Sequence, residues 1–311
     1  MPEEVTPLVE QFKARLALPQ RDQLGEGPVW DAAQNRLLWG DHASGIIREA
    51  RPDGAGGWRE SKRWTLNRPL AAAIPRIAGG LIVAGGTEIV QFAEDGTCTP
   101  FARIDTDSPL IRINDAKCDA QGRLWAATLS SDFRPGAAAL YRIDPDRSVR
   151  KMLGGVTLGN GLDWSPDGAV FYLVDSFIRT LFSFDFDAKR GEISNQRRLV
   201  TLTRGVPNGM AVDRSGCLWV AATGGGNVQR YSRDGNYLAT VEIATPGATS
   251  CAFGGSDGAE LLITSRAGRM PEAALQMGVD PKMMDNDGPE AGGLFVCRTG
   301  ATGAPAHAFA G

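Results

Sequence analysis

The chain has 311 residues, 42% of them hydrophobic, with a formal net charge of −3. That is enough apolar material for a large core, and length alone would suggest about two domains. No apolar run reaches the roughly 18 residues of a membrane-spanning helix, and Lys and Arg are spread along the chain without the basic patch of a nucleic-acid binder.

Met1-Pro2-Glu3-Glu4 is acidic and lacks the basic start and apolar stretch of a secretory leader, which leads us to expect a cytoplasmic protein. Residues 1–22 form an extension before the first repeat. Its stretch from Leu8 to Leu16 has the pattern of either a short amphipathic helix or an outer strand. From there one unit recurs six times: a turn with Gly, Pro or Asn, an apolar strand, a second turn, a strongly apolar strand, and a third strand ending in charged residues. The units begin near Gly27, Ala71, Asn114, Gly161, Gly209 and Cys251. Their second strands include Leu37-Leu38-Trp39, Leu124-Trp125-Ala126 and Leu218-Trp219-Val220, and their third strands include Ala139-Leu140-Tyr141-Arg142 and Leu294-Phe295-Val296-Cys297.

A period of roughly 45 residues is that of propeller blades. One blade cannot bury both faces alone, so the repeat overrides length and predicts an all-β, six-bladed propeller as one domain over residues 1–311. Either Arg15–Arg21 or the C-terminal Ala304–Phe309 is expected to supply the strand that closes the ring. The 39 glycines suit many tight turns, and Gly224-Gly225-Gly226 reads as a hairpin turn rather than a phosphate cradle.

The sixth unit breaks the even spacing with a long loop over 266–292. Within it, Pro271 to Met277 predicts one or two helical turns beginning at the proline. Such a loop is either a cover for a site or an outer-edge decoration. The cysteines Cys98, Cys118, Cys217, Cys251 and Cys297 have no CxxC spacing and read as buried apolar thiols in strands. A Ser-His-Asp triad has no support, because there is no Gly-x-Ser-x-Gly elbow and His307 lies in the tail. His42, at the exit of a second strand, reads as structural or surface.

Innermost propeller strands line a central channel, so residues at matched positions in different units converge. Those positions hold Glu26, Asn114-Asp115, Asn160 and Asn208. A ring of carboxylate and amide oxygens suits a hard divalent cation; the same amides could instead satisfy their own loops as Asx-turns.

The chain resembles the senescence marker protein-30 (regucalcin), gluconolactonase and luciferin-regenerating enzyme family from about Gln20 to Cys297. The fragments that carry the likeness include Gly25-Glu26-Gly27-Pro28-Val29-Trp30, Arg112-Ile113-Asn114-Asp115, Asn160-Gly161-Leu162-Asp163-Trp164-Ser165, Val174-Asp175-Ser176, Pro207-Asn208-Gly209-Met210 and Pro289-Glu290-Ala291-Gly292-Gly293. The resemblance implies a central channel with one divalent metal and hydrolysis of sugar lactones. It places Glu26 and Asn160 as metal ligands and Arg112 and Asn114 on substrate; Asp132 falls in a loop that often contacts sugar.

The third ligand position, where typical members carry an aspartate that is usually proposed as the base, holds Asn208. An amide oxygen can coordinate but brings no charge, and it cannot accept a proton at neutral pH. Hydrolysis would then depend on hydroxide bound to the metal that Asn208 helps to hold, on Glu26, or on Asp115 or Asp163 if either reaches the site; otherwise these two, like Asp175, buttress their loops. Oxygen ligands suit calcium, magnesium or manganese, with zinc and iron(II) also open. The expectation is a metal-dependent lactone hydrolase. The alternatives are a metal-dependent isomerase or lyase, or a catalytically silent calcium- or ligand-binding propeller. Its partner would be a small-molecule substrate, with no nucleic acid or membrane, and the protein a monomer or weak homodimer.

Overall fold

Short strands rich in Val, Leu, Ile and Trp, punctuated by glycine turns, pair into six antiparallel sheets in a computed structural model that describes residues 9–311. Met1-Pro2-Glu3-Glu4 and Leu8 lie outside the described residues. From the axis outward, blade 1 runs Gly25–Asp31, Arg36–Asp41, Ile46–Pro52 and Trp58–Thr65. The inner strands of blades 2 to 6 are Ala72–Pro75, Ile111–Cys118, Gly159–Trp164, Val206–Val212 and Ala248–Gly254. The whole is a six-bladed β-propeller.

Arg15–Leu18 pairs antiparallel with Leu294–Arg298 as the outer strand of blade 6, so the last blade is completed by the start of the chain. The preceding strand, Glu10–Lys13, adds in parallel to the outer edge of blade 5. The C-terminal tail does something else. It leaves a bridge between Gly303 and Asp213, crosses the lower face, and ends with Phe309 bridged to Arg76 and packed edge-on against Phe101.

Between blades the core is built on the second strands, which lie between two neighbours and are buried along nearly their full length. Blades 1, 3 and 5 share one device. The indole N–H groups of Trp39, Trp125 and Trp219 donate to Asp22, Asp119 and Asp213 at 2.8, 2.9 and 2.9 Å. Arg48, Arg123 and Arg230 donate to the same three carboxylates. A buried indole N–H needs an acceptor and a buried carboxylate needs a counter-charge, so each triplet satisfies itself inside the core. Of the cysteines, Cys118, Cys251 and Cys297 are buried as expected, whereas Cys98 is exposed on an outer strand and Cys217 is half-buried.

The inner strands differ from ideal ladders at one recurring place. Pairing with the second strand skips between Glu26 and Val29, Ile113 and Asp115, Gly159 and Leu162, Pro207 and Met210, and Ala248 and Ser250. Such irregularities re-aim side chains, here at the end of the channel where the inner strands begin. The Asn-Gly pairs are therefore parts of bulged strands rather than Asx-turns. Their glycines are demanded by packing: a Cβ on Gly161 would lie 2.6 Å from Asn208 O, and one on Gly209 would collide with Ser250.

The 266–292 insertion lies on that same face. A helical turn, Ala273–Gln276, and a 3-10 turn, Pro281–Met283, hold Met270, Ala274, Val279 and Met284 in a small core against Val206 of blade 5. Asn286, buried at its root, bonds Thr245 and the carbonyl of Arg266. The loop thus packs over the ends of blades 5 and 6.

Candidate active site at one mouth of the channel

The bulges set Glu26, Asn114, Asn160 and Asn208 around the mouth, from blades 1, 3, 4 and 5. Each amide is held by its nitrogen. Asn160 Nδ2 donates to Ser176 Oγ (3.1 Å), whose hydroxyl donates to Pro207 O (2.6 Å). Asn208 Nδ2 donates to Thr223 Oγ1 (3.0 Å), which donates to Ala248 O (2.6 Å). Asn114 Nδ2 donates across to Gly159 O (2.9 Å). These relays tie each blade to the next and leave the amide oxygens as the available atoms. Asn208 Oδ1 is buried with no partner. At the same level of blade 6, Thr249 is wholly buried and spent on Gly25 O.

Glu26 carries an unusual load. Burial pushes its pKa well above the ordinary carboxylate range and the nearby Asp115 adds to the rise; a hydrogen bond with Asn208 and the charge of Arg266 oppose it. Asp115 is itself raised to about 6, chiefly by burial, with Lys117 pulling it down. Asp163 faces a different task. It accepts from Lys117 Nζ (2.8 Å), Val212 N (3.0 Å) and Trp164 N (2.9 Å), deeper in the channel. Asp175 accepts from three backbone amides, of Thr157, Leu158 and Phe177, and buttresses blade 4.

Arg112 is open to solvent within the mouth yet ringed by protein. Burial lowers its pKa, and among the described residues no carboxylate lies within ion-pair distance. Its charge is felt by His42, which burial first, and Arg112 second, lower to about 3. Nε2 of this neutral imidazole is buried without a partner, beside Gly27. Asp132 sits apart from these groups, exposed on the rim, accepting from Ser130 Oγ and Arg134 N. Sequence reasoning assigned Arg266 no role and left His42 as structural. Neither carries a local signal, because both depend on what other blades place beside them.

At the opposite end of the channel a cavity of about 470 Å³ is lined by Trp30, Lys117, Asp163, Trp164 and Phe253 and capped by the tail at Ala304–His307. None of the four bulge residues reaches it.

The residues at the upper mouth fit a hard divalent cation. The orphaned Asn208 oxygen, the Asn160 oxygen and the Glu26 carboxylate are all oxygen donors, with a single negative charge among them. A six-bladed propeller whose channel mouth gathers Glu26, Asn114, Asn160 and Asn208 is the class that fold and site define. Residues 24–267 match the SMP-30/gluconolactonase/LRE-like region, and the chain belongs to that family. Regucalcin of Oryctolagus cuniculus is 33% identical over 313 residues, covering 97% of this chain and 100% of that protein. Regucalcin of Homo sapiens is 33% identical over 314 residues with the same coverage. A solved luciferin-regenerating enzyme matches with a TM-score of 0.85 at 26% identity, over 96% of this chain and 99% of that one.

Proposed function

We propose that this protein is a metal-dependent lactonase that opens a sugar lactone or related cyclic ester. The observation that carries the reading is the convergence of Glu26, Asn160 and Asn208 at one mouth, with Asn208 Oδ1 buried and unpartnered. Membership of a family named for gluconolactonase supports it. A divalent cation held by these three residues would polarise the ester carbonyl and lower the pKa of an attacking water. Arg112 and Asn114 orient the substrate's oxygens. Asn208 cannot take the water's proton, so we assign that role to Asp115, which follows Asn114 on the bulged inner strand of blade 3 and lies close enough to Glu26 to raise its pKa. Asp132, on the rim, meets the part of the sugar that projects from the mouth. We place the protein in the cytoplasm as a monomer or weak homodimer acting on a small molecule; among the described residues no helix is long and apolar enough to cross a membrane.

The test is turnover of a lactone panel by chelated protein, with and without calcium, magnesium, manganese, zinc or iron(II), beside Asn208→Asp. Metal-dependent acid release by the unmodified chain is the expected result. The variant adds a second anionic ligand and should bind metal more tightly. It also sets a carboxylate against Thr223 Oγ1, which already spends its proton on Ala248 O, so the chelated variant should lose about 1 kcal/mol of stability. The single-charge ligand set also favours a second reading, a silent metal- or ligand-binding propeller. Turnover that appears only in Asn208→Asp, or a metal-induced rise in Tm without turnover, would replace the first reading with this one.

A further inference from the structure

We infer that Arg266 is a specificity residue that selects a substrate carrying an oxyanion, such as a carboxylate, phosphate or sulfonate, beyond the ester itself. The inference rests on the lactonase reading for the identity of the ring, but not for the charge.

Arg266 opens the insertion directly beside Glu26. A Cβ on Gly25 would lie 2.7 Å from Ser265 O, and one on Gly247, which leads into the inner strand of blade 6, would lie 2.8 Å from Arg266 Cγ. The backbone is pinned at both ends: Arg266 N donates to Gly247 O (2.9 Å), and its carbonyl accepts from Asn286. The side chain is not so well provided for. Nη2 donates to Arg269 O (2.9 Å), while Nε is buried with no acceptor. Burial lowers its pKa, with only Glu26 acting against that.

No carboxylate among the described residues comes within 4 Å of this guanidinium. The insertion's own acids do not serve it: Asp285 and Glu272 both pair with Arg269, at 3.0 and 2.9 Å. Across the ring, on blade 3, Arg112 is likewise without an anionic partner, and its neighbour His42 is neutral. Two guanidiniums, Arg112 open to solvent and Arg266 half-buried, thus face a mouth whose nearest charges are Glu26 and Asp115. A cation taken partly out of water without a counter-ion is costly, and a planar guanidinium with free N–H groups matches an oxyanion in shape and charge. Arg112 faces the ester from one side, so Arg266 is left to receive a charged substituent from the other.

The experiment compares kcat/KM for three lactones of similar ring: a neutral aldonolactone, an aldaric monolactone bearing a carboxylate, and a 6-phospho-aldonolactone. We expect the unmodified protein to prefer a charged lactone by about tenfold or more, the second and third compounds telling carboxylate from phosphate. In Arg266→Met the charged-to-neutral ratio should fall by about tenfold, mainly through KM, and Arg266→Lys should keep part of it. Because the loop is anchored through the backbone of Arg266, both variants should fold, which their melting curves check. No preference in the unmodified protein, an unchanged ratio in Arg266→Met, or an equal loss on all three substrates would overturn the inference. If no lactone turns over, the lactonase reading fails and the charge selection is read from binding. A hydroxy-dicarboxylate should raise Tm where a polyol of equal length does not, and Arg266→Met should abolish the difference; equal shifts would overturn the inference.

Discussion

The two ends of the channel use the same kinds of residue to opposite purposes. At the lower end Lys117, Asp163 and the amides of Trp164 and Val212 bond one another, and one buried orphan, Trp164 Nε1, remains beside the cavity. At the upper mouth the bonds run outward into the blades, and Asn208 Oδ1, His42 Nε2 and Arg266 Nε are left without partners. Buried polar groups are nearly always paired, so a cluster of exceptions marks where a ligand completes the structure. Mutations at the two ends should therefore separate stability from function.

The largest effect is expected from Glu26→Gln. It removes the only charge among the proposed ligands, and turnover should fall about 10²–10³-fold. Because burial already favours the protonated carboxyl of Glu26, the chelated variant should melt close to the parent, while the metal-induced rise in Tm is lost. A full metal response in this variant would remove Glu26 from the ligand set.

Asp119→Ala tests the other half of the comparison. It strips Arg123 Nε (2.7 Å) and Trp125 Nε1 (2.9 Å) of their acceptor in the core of blade 3. The loss should be about 3–5 kcal/mol in urea or thermal unfolding, with kcat/KM per folded molecule retained.

Asp115→Asn gives a somewhat smaller effect with a distinctive pH dependence. The folded-state pKa of Asp115 is raised to about 6 against an ordinary 3.8. The folded protein therefore holds the proton more tightly than the unfolded chain. The stability this confers is full below about pH 4 and is lost as pH rises to about 6, amounting to roughly 3 kcal/mol. Chelated Asp115→Asn should be more stable than the parent at pH 7, and the gap should close towards pH 4. A gap independent of pH would mean that Asp115 is not the group held protonated. Loss of turnover in the same variant, with metal binding intact, would support its role as base.

Much of this was legible before any coordinates. Strand order, the six units and the helical turns after Pro271 follow from local patterning, and Glu26, Asn114, Asn160 and Asn208 stand out because each recurs at the same phase of the repeat. Asp115 directly follows Asn114 and Asp163 lies three residues beyond Asn160, yet sequence leaves both open as bases, since only the approach of Lys117 from another blade commits Asp163. The tail and the first strands were two candidates for closing the ring, and their order along the chain does not say which reaches blade 6.

The sequence by itself determined the propeller and the oxygen-rich chemistry of its mouth, because hydrophobic alternation, glycine turns and a repeat period act over a few residues at a time. Tertiary structure alone decided which of those oxygens go unpartnered, which carboxyl is raised and which is neutralised, and that Arg266 stands beside Glu26. Those are consequences of burial and of charges brought together around an axis from opposite ends of the chain.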